Sequence, residues 1–167
     1  MARILLLRGA MGAGKSTAAA ALRELLPEVV FIEVDDIKLM SHGSPKKCDP
    51  ETIFREAGIQ AKKAMEAGKD VVVIEPLCSR DHIDHVLRAA GVAGALPNIL
   101  SVWLDCTLQT ALERKGKDFA SVVIKGQHKR YATRYVLSNE VVIRTDELSQ
   151  GAVAQRVCQH FQNGIEK

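Results

Sequence analysis

The residues best suited to chemistry lie near the start of the chain, in the run Gly9-Ala10-Met11-Gly12-Ala13-Gly14-Lys15-Ser16. This run fits the phosphate-loop pattern G-x-x-x-x-G-K-[ST] at every fixed position. The glycines let the backbone turn tightly and present N–H groups to phosphates, Lys15 can reach the β- and γ-phosphates, and the Ser16 hydroxyl can coordinate magnesium. The motif predicts nucleotide binding, with expected contacts from Gly9, Gly12, Ala13, Gly14, Lys15, Ser16 and Thr17.

A second group of candidate residues follows the next apolar run, where Asp35, Asp36 and Lys38 stand close together. Parallel strands end at a common edge of a sheet, so these side chains should face the γ-phosphate. A carboxylate there can accept the proton of an attacking hydroxyl. Asp35, the first to leave the strand, is the preferred base, while Asp36 and Lys38 are expected to contact the acceptor. The alternative is a solvated acidic turn that caps a helix.

Short apolar runs alternate with amphipathic stretches along the whole chain, and these elements must position the two groups. We predict strands at residues 3–8, 29–34, 71–75, 99–105 and 140–143, and helices at 15–26, 50–67, 80–90, 107–114 and from 150 onward. The phosphate loop then lies between a buried strand and a helix. Five strands alternating with helices predict an α/β fold with a parallel sheet covered on both faces, in a single domain over residues 1–167.

The composition is that of an ordinary globular protein, with 47% hydrophobic and 26% charged residues and a net charge of +3. This charge does not resemble that of a strongly basic nucleic-acid binder. We expect no signal peptide and no membrane span, and therefore a cytoplasmic protein, because the apolar runs are too short.

The four cysteines form no Cys-x-x-Cys pair and are expected to be reduced thiols. His82 and His85 are expected to be surface residues rather than metal ligands.

The order of GAMGAGKST, VDDIK, VVVIE and ALERK, followed by a basic segment, resembles the small P-loop kinases. It looks most like the polynucleotide kinase, zeta-toxin and chloramphenicol phosphotransferase group, with gluconate and shikimate kinases as more distant relatives. The guanine-recognition motif of GTPase switches and the signature loop of transporter ATPases are not found. The resemblance implies a three-layer P-loop NTPase fold and a kinase reaction, the ATP- and Mg²⁺-dependent transfer of a phosphoryl group to a hydroxyl.

The resemblance also implies roles for residues beyond the two motifs. A lid is expected at about residues 115–130, with Arg114 on the nucleotide side, where it would stabilise the transferring phosphoryl group. A lysine such as Lys115 or Lys117 must replace the second arginine that these kinases usually carry. Glu75 stands where the third strand often ends in aspartate, and it could hold magnesium through water, position the acceptor, or be a plain strand-end charge. Arg80 is a weaker candidate for an acceptor contact.

The identity of the acceptor stays open at this point. A sugar, nucleoside or antibiotic is one option, and the 5′-hydroxyl of a nucleic acid is another, favoured by the similarity of VDDIK to the polynucleotide kinases. The near-neutral net charge argues against tight binding of a phosphate backbone. A function of another class, a non-catalytic nucleotide-binding module or switch, would account for the phosphate loop but not for the paired aspartates.

Overall fold

Five parallel strands form the centre of the computed structural model, which describes residues 2–42, 49–94, 98–115 and 121–164. The strands are β1 (Ile4–Gly9), β2 (Val30–Glu33), β3 (Val71–Ile74), β4 (Ile99–Asp105) and β5 (Glu140–Arg144). Their order in the sheet is β2-β3-β1-β4-β5, and every pair is parallel. The central position of β1 places the glycine-rich loop in the middle of the carboxyl edge. The predicted parallel α/β sheet is confirmed.

Seven described helices surround the sheet. They are α1 (Lys15–Leu25), α2 (Val34–His42), α3 (Pro50–Glu66), α4 (Arg80–Ala89), α5 (Leu108–Lys115), α6 (Ser121–Tyr131) and α7 (Gln150–Asn163). Side chains cap three helix starts: Asp49 accepts hydrogen bonds from the Glu51 and Thr52 N–H groups, Ser79 from His82 N–H and Ser149 from Ala152 N–H. Each cap satisfies backbone donors that have no partner within the helix. None of the described helices is long and apolar enough to cross a membrane.

The two faces of β1 build two aliphatic cores. Leu5 and Leu7 point to one side, where they pack in a cluster with residues of α1 and α7. Ile4 and Leu6 point to the other side and pack with residues of α3 and α4. Alternate residues of a strand face opposite sides of the sheet, so a continuous apolar run is what a strand covered on both faces requires.

Helix α2 is the main departure from the predicted elements. A strand was expected over residues 29–34 with a turn at residues 35–38 after it, but β2 ends at Glu33 and Val34 begins a helix. Val34 and Ile37 are buried one helical turn apart, which anchors this helix to the sheet. Asp35 and Asp36 then fall in its first turn, where the helix dipole favours negative charge.

The predicted lid is described only in part. Its residues 121–130 belong to helix α6, whereas residues 116–120, with the candidate cation Lys117, lie outside the described residues. Cys48 also lies outside them. Cys78, Cys106 and Cys158 are free thiols.

Candidate active site

The phosphate loop connects β1 to α1 and packs closely against β4 and α5. A Cβ atom on Gly9 would lie 2.6 Å from the carbonyl oxygen of Leu104. A Cβ atom on Gly12 would lie 2.8 Å from Ala111 Cα, and the φ angle of Gly12 is +83°. Only glycine has both the space and the backbone freedom for such a position. The loop therefore needs these glycines for its own shape, before any ligand is considered.

Lys15 folds back over this loop. Its Nζ atom donates hydrogen bonds to the carbonyl oxygens of Gly9, at 2.7 Å, and Ala10, at 3.1 Å. Burial lowers the pKa of Lys15 to about 8, and the nearby carboxylates of Glu75 and Asp35 only partly offset this effect. The ammonium group is thus held over the loop, in a place where an added anion would stabilise its charged form.

A cavity of about 560 Å³ opens beside the loop at the carboxyl edge of the sheet. Sequence reasoning had singled out many of its lining residues, and the structure brings these together: Gly12, Ala13, Gly14, Lys15, Ser16, Thr17, Asp35, Lys38, Glu75, Arg114 and Lys115. The described elements add further lining residues: Met11, Ala18, Pro76, Gln127, Tyr131, Thr145, Leu148, Gln150 and Val153. The phosphate loop and the acidic residues that follow β2 and β3 share one cavity.

One wall of the cavity is acidic and is held together by Lys38. The Nζ atom of Lys38 lies 2.7 Å from Asp35 Oδ1 and 3.1 Å from Glu75 Oε1. The two carboxylates differ in exposure, since the Asp35 side chain is 78% exposed and that of Glu75 is 10% exposed. Burial raises the pKa of Glu75, while the positive charge of Lys38 opposes the increase. Asp35 is the more accessible of the two carboxylates.

Asp36 and Arg80 do not line the cavity. Asp36 is exposed on the first turn of α2, beside Asp35 but outside the lining set. The side chain of Arg80 is 69% exposed, and its Nε atom lies 3.6 Å from Asp84 Oδ2, one turn along α4. The structure therefore separates both residues from the group in which sequence reasoning had placed them.

Arg114 connects the phosphate loop to the segment after β5. Its Nη1 atom donates to the Gly12 carbonyl oxygen at 3.2 Å and to Thr145 Oγ1 at 2.9 Å. Its Nη2 atom donates to the Thr145 carbonyl oxygen at 2.7 Å. Thr145 is buried, and its hydroxyl also donates to the Ala13 carbonyl oxygen at 3.2 Å. The guanidinium thus fixes the wall of the cavity on the side of β4 and β5.

Helix α6 supplies a third wall that sequence reasoning did not find as a unit. Ile124 is buried, and Gln127 and Tyr131, three and seven residues further on, line the cavity from the same face of the helix. The Gln127 Oε1 atom is buried and has no hydrogen-bond partner within the described ranges. The helical spacing of Ile124, Gln127 and Tyr131 is the sequence signal that could have identified Gln127 as a lining residue.

The oxygen donors at this edge suit Mg²⁺, which favours hard oxygen ligands and keeps several ligands from phosphate and water. Ser16, Asp35 and Glu75 line the same cavity. Within the described parts of the chain there is no group of three or more His, Cys, Asp or Glu residues that could hold a metal alone. The residues present thus fit a metal that arrives with a nucleotide. His82, expected to be a surface residue, is half-buried and stacks on Phe54 with ring centroids 4.3 Å apart.

Comparison with known proteins gives a family and a set of structural neighbours. A family model described as AAA domain matches residues 4–135, most of the chain, so the chain belongs to this family. No curated protein matches the sequence.

Similar solved structures include small kinases of 18% sequence identity. A sugar kinase from Janibacter sp. HTCC2649 has a TM-score of 0.71, with 97% of this chain and 95% of that chain covered. The APS kinase CysC of Mycobacterium tuberculosis, in complex with AMPPNP and APS, has a TM-score of 0.68 with 96% and 98% covered. The shikimate kinase of Acinetobacter baumannii, in complex with shikimate, has a TM-score of 0.61 with 100% and 97% covered. The fold is that of the small P-loop kinases, and the predicted resemblance to the small P-loop kinases is confirmed.

Proposed function

We propose that this AAA domain chain is an ATP-dependent kinase that transfers the γ-phosphoryl group to a hydroxyl of a small-molecule acceptor. The observation that carries the proposal is the shared cavity of the phosphate loop and the Asp35, Lys38 and Glu75 wall. A module that only bound nucleotide would need the loop but not two carboxylates facing it. The similar solved structures support the proposal, because they are kinases and one of them is in complex with AMPPNP and APS.

The phosphate loop and Arg114 form the nucleotide side of the cavity in this proposal. The loop's N–H groups and the start of α1 would hold the phosphates, and Lys15 would leave the Gly9 and Ala10 carbonyl oxygens to reach the β- and γ-phosphates. Ser16 would hold Mg²⁺, with Glu75 placed to act through water. Bound magnesium neutralises charge on the phosphate oxygens during transfer.

Asp35 would act as the general base on the acceptor side. The acceptor oxygen forms a bond to the γ-phosphorus as the bond from that phosphorus to the bridging oxygen of ADP breaks. The hydroxyl proton passes to the Asp35 carboxylate. Lys38 would orient this carboxylate, because its Nζ atom already lies 2.7 Å from Asp35 Oδ1. Arg114 and Lys115, which line the cavity, would stabilise the negative charge on the transferring group.

A small-molecule acceptor fits the charge of the acceptor side better than a nucleic acid does. The described wall has two carboxylates, Asp35 and Glu75, and Lys38 is paired with both. A phosphate backbone needs several cations beyond the nucleotide site, and Arg80 lies outside the cavity. The buried Gln127 Oε1 atom would accept a hydrogen bond from an O–H or N–H group of the acceptor.

The test is a transfer screen with ATP labelled at the γ-phosphate. The purified chain is incubated with Mg²⁺ and with sugars, nucleosides, hydroxyl-bearing antibiotics and 5′-hydroxyl oligonucleotides, and labelled products are separated. We expect label on a small molecule. Label on the oligonucleotide would move the acceptor assignment to nucleic acid. Tight AMPPNP binding with no transfer to any compound would favour the non-catalytic module instead.

We expect nucleotide affinity to fall as the pH rises above about 8. The Lys15 pKa of about 8 means that the ligand-free loop carries this cation below that pH and loses it above. Phosphate binding needs the cation, so binding above this pH takes up a proton, and the Kd should rise about tenfold per pH unit. Calorimetric titration with ADP between about pH 7 and pH 10, in buffers of different ionisation enthalpy, measures both effects. A Kd that stays constant above pH 8 would contradict the assignment.

A further inference from the structure

Arg8 is a buried cation that the mechanism above does not use. It immediately precedes the first glycine of the phosphate loop, and its side chain is fully buried. It lies on the same face of β1 as Ile4 and Leu6, which pack in the core formed with α3 and α4. Burying a guanidinium costs free energy unless its donors are satisfied, so the partners of Arg8 must compensate for its position.

Those partners come from three separate segments of the chain. The Nε and Nη2 atoms of Arg8 donate to the Leu77 carbonyl oxygen at 3.2 and 2.7 Å, and Nη2 also donates to the Tyr135 carbonyl oxygen at 2.7 Å. Its Nη1 atom forms an ion pair with Glu140, whose side chain is fully buried. One side chain thus links the segment after β3, the segment after α6 and the start of β5.

A second arginine extends this network. Arg134 Nη2 donates to Glu140 Oε1 at 2.7 Å, so Glu140 pairs with two guanidinium groups. The guanidinium carbons of Arg134 and Arg8 lie 4.3 and 5.4 Å from the ring centroid of Trp103 on β4. Tyr131, from the cavity-lining face of α6, packs edge-on against the same ring at 5.9 Å. The network therefore reaches the helix that forms one wall of the cavity.

The network of Arg8 also reaches the acidic wall of the cavity, through Leu77, whose backbone is strained. Leu77 is buried, and its φ angle of +42° lies in the left-handed region that a leucine rarely adopts. Such a conformation persists only where its surroundings enforce it, and it is often found at functional sites. The two hydrogen bonds from Arg8 to the Leu77 carbonyl supply that constraint. Glu75 and Pro76, which line the cavity, directly precede Leu77.

We propose that Arg8 is a positioning residue for the acceptor side of the cavity. Through Leu77, Tyr135 and Glu140 it holds the Glu75 wall and the α6 wall in place relative to the phosphate loop. Its effect on turnover rests on the proposed kinase function, whereas its effect on the two walls does not. Loss of Arg8 should therefore loosen the acceptor side and leave the nucleotide side intact.

Hydrogen exchange measured by mass spectrometry tests the structural part without any acceptor. In Arg8→Met we expect exchange to increase about tenfold or more in residues 74–79 and 121–136 together, with α1 and α7 unchanged. Arg3→Met is the matched control, because Arg3 immediately precedes the amino end of β1, at the opposite end of this strand from Arg8, and pairs with Asp70. The control should leave both segments unchanged. Unchanged exchange in Arg8→Met, or an equal increase along the whole chain, would overturn the proposal.

The catalytic part is measured on the same variants with the acceptor found in the screen. We expect Arg8→Met to retain AMPPNP affinity within about threefold while kcat with the acceptor falls about thirtyfold or more. Emission from Trp103, the chain's single tryptophan, should shift when the Arg8 guanidinium no longer lies over its ring.

If Arg8→Met does not fold, Arg8→Lys provides the same measurements, since lysine keeps the charge but not the planar fork. Equal losses of nucleotide affinity and turnover would show a merely structural role. Absence of transfer in the wild type would count against the kinase function alone.

Discussion

Asp35→Asn should lower the transfer rate by about 10²- to 10⁴-fold while AMPPNP still binds, because the amide cannot accept the hydroxyl proton. The change preserves the size of the side chain, and Asp35 has 78% of its side chain exposed, so no packing is lost. The effect should therefore appear in kcat and not in nucleotide affinity. Rapid-quench measurement of labelled product in single turnovers isolates the chemical step from product release.

Variants of the two nearby carboxylates, Asp36 and Glu75, test whether the loss of transfer is specific to Asp35. Asp36→Asn removes a carboxylate from the same helical turn but outside the cavity, and it should retain most of the activity. Glu75→Gln removes the buried carboxylate, and it should act mainly on the acceptor KM by removing one of the two carboxylates that hold Lys38. If Glu75→Gln lost more in kcat than Asp35→Asn, Glu75 would be the base. A loss of activity in Asp36→Asn as large as that in Asp35→Asn would contradict the preference for Asp35 as the base.

Lys15→Met should abolish nucleotide binding at ordinary concentrations and reduce kcat/KM by about 10²-fold or more, since it removes charge-assisted hydrogen bonds to two phosphates. Its side chain bridges the Gly9 and Ala10 carbonyl oxygens in the loop, and methionine can fill that space without making the bonds. Calorimetry with ADP and the transfer assay measure the two effects.

Lys69→Met is the matched control for Lys15→Met. Lys69 is exposed and lies two residues before the amino end of β3, at the edge of the sheet opposite the cavity. Lys69→Met removes the same charge from the protein as Lys15→Met does, so a general electrostatic effect would appear in both variants. Wild-type nucleotide affinity in Lys15→Met would show that the loop does not use its lysine.

The sequence alone could predict the elements that rest on local patterns. Apolar runs such as residues 4–7 are long enough to give strands, and Asp49, Ser79 and Ser149 carry the side chains that cap helices. The phosphate loop could be identified because its shape depends on its own glycines. Asp35 and Glu75 could be placed in the cavity because parallel strands end at one edge.

Other features depend on contacts between distant parts of the chain. Helix α2 forms because Val34 and Ile37 pack on the sheet, a partner that the local sequence does not reveal. Glu140, the partner of Arg8, lies 132 residues away from it. Local spacing placed both Asp35 and Asp36 at the edge of the sheet and favoured Asp35 as the base only because it comes first after the strand. Because both residues lie in the first turn of α2, they point in different directions, and only Asp35 lines the cavity.

The most direct test of the central claim is a crystal structure with AMPPNP, Mg²⁺ and the acceptor found in the screen. We predict that the reacting hydroxyl lies within about 3.2 Å of the Asp35 carboxylate and faces the γ-phosphorus in line with the bridging atom. Lys15 should have moved from the Gly9 and Ala10 carbonyl oxygens to the phosphates. A reacting hydroxyl held by other groups, with Asp35 turned to solvent, would contradict the assignment of this carboxylate as the base.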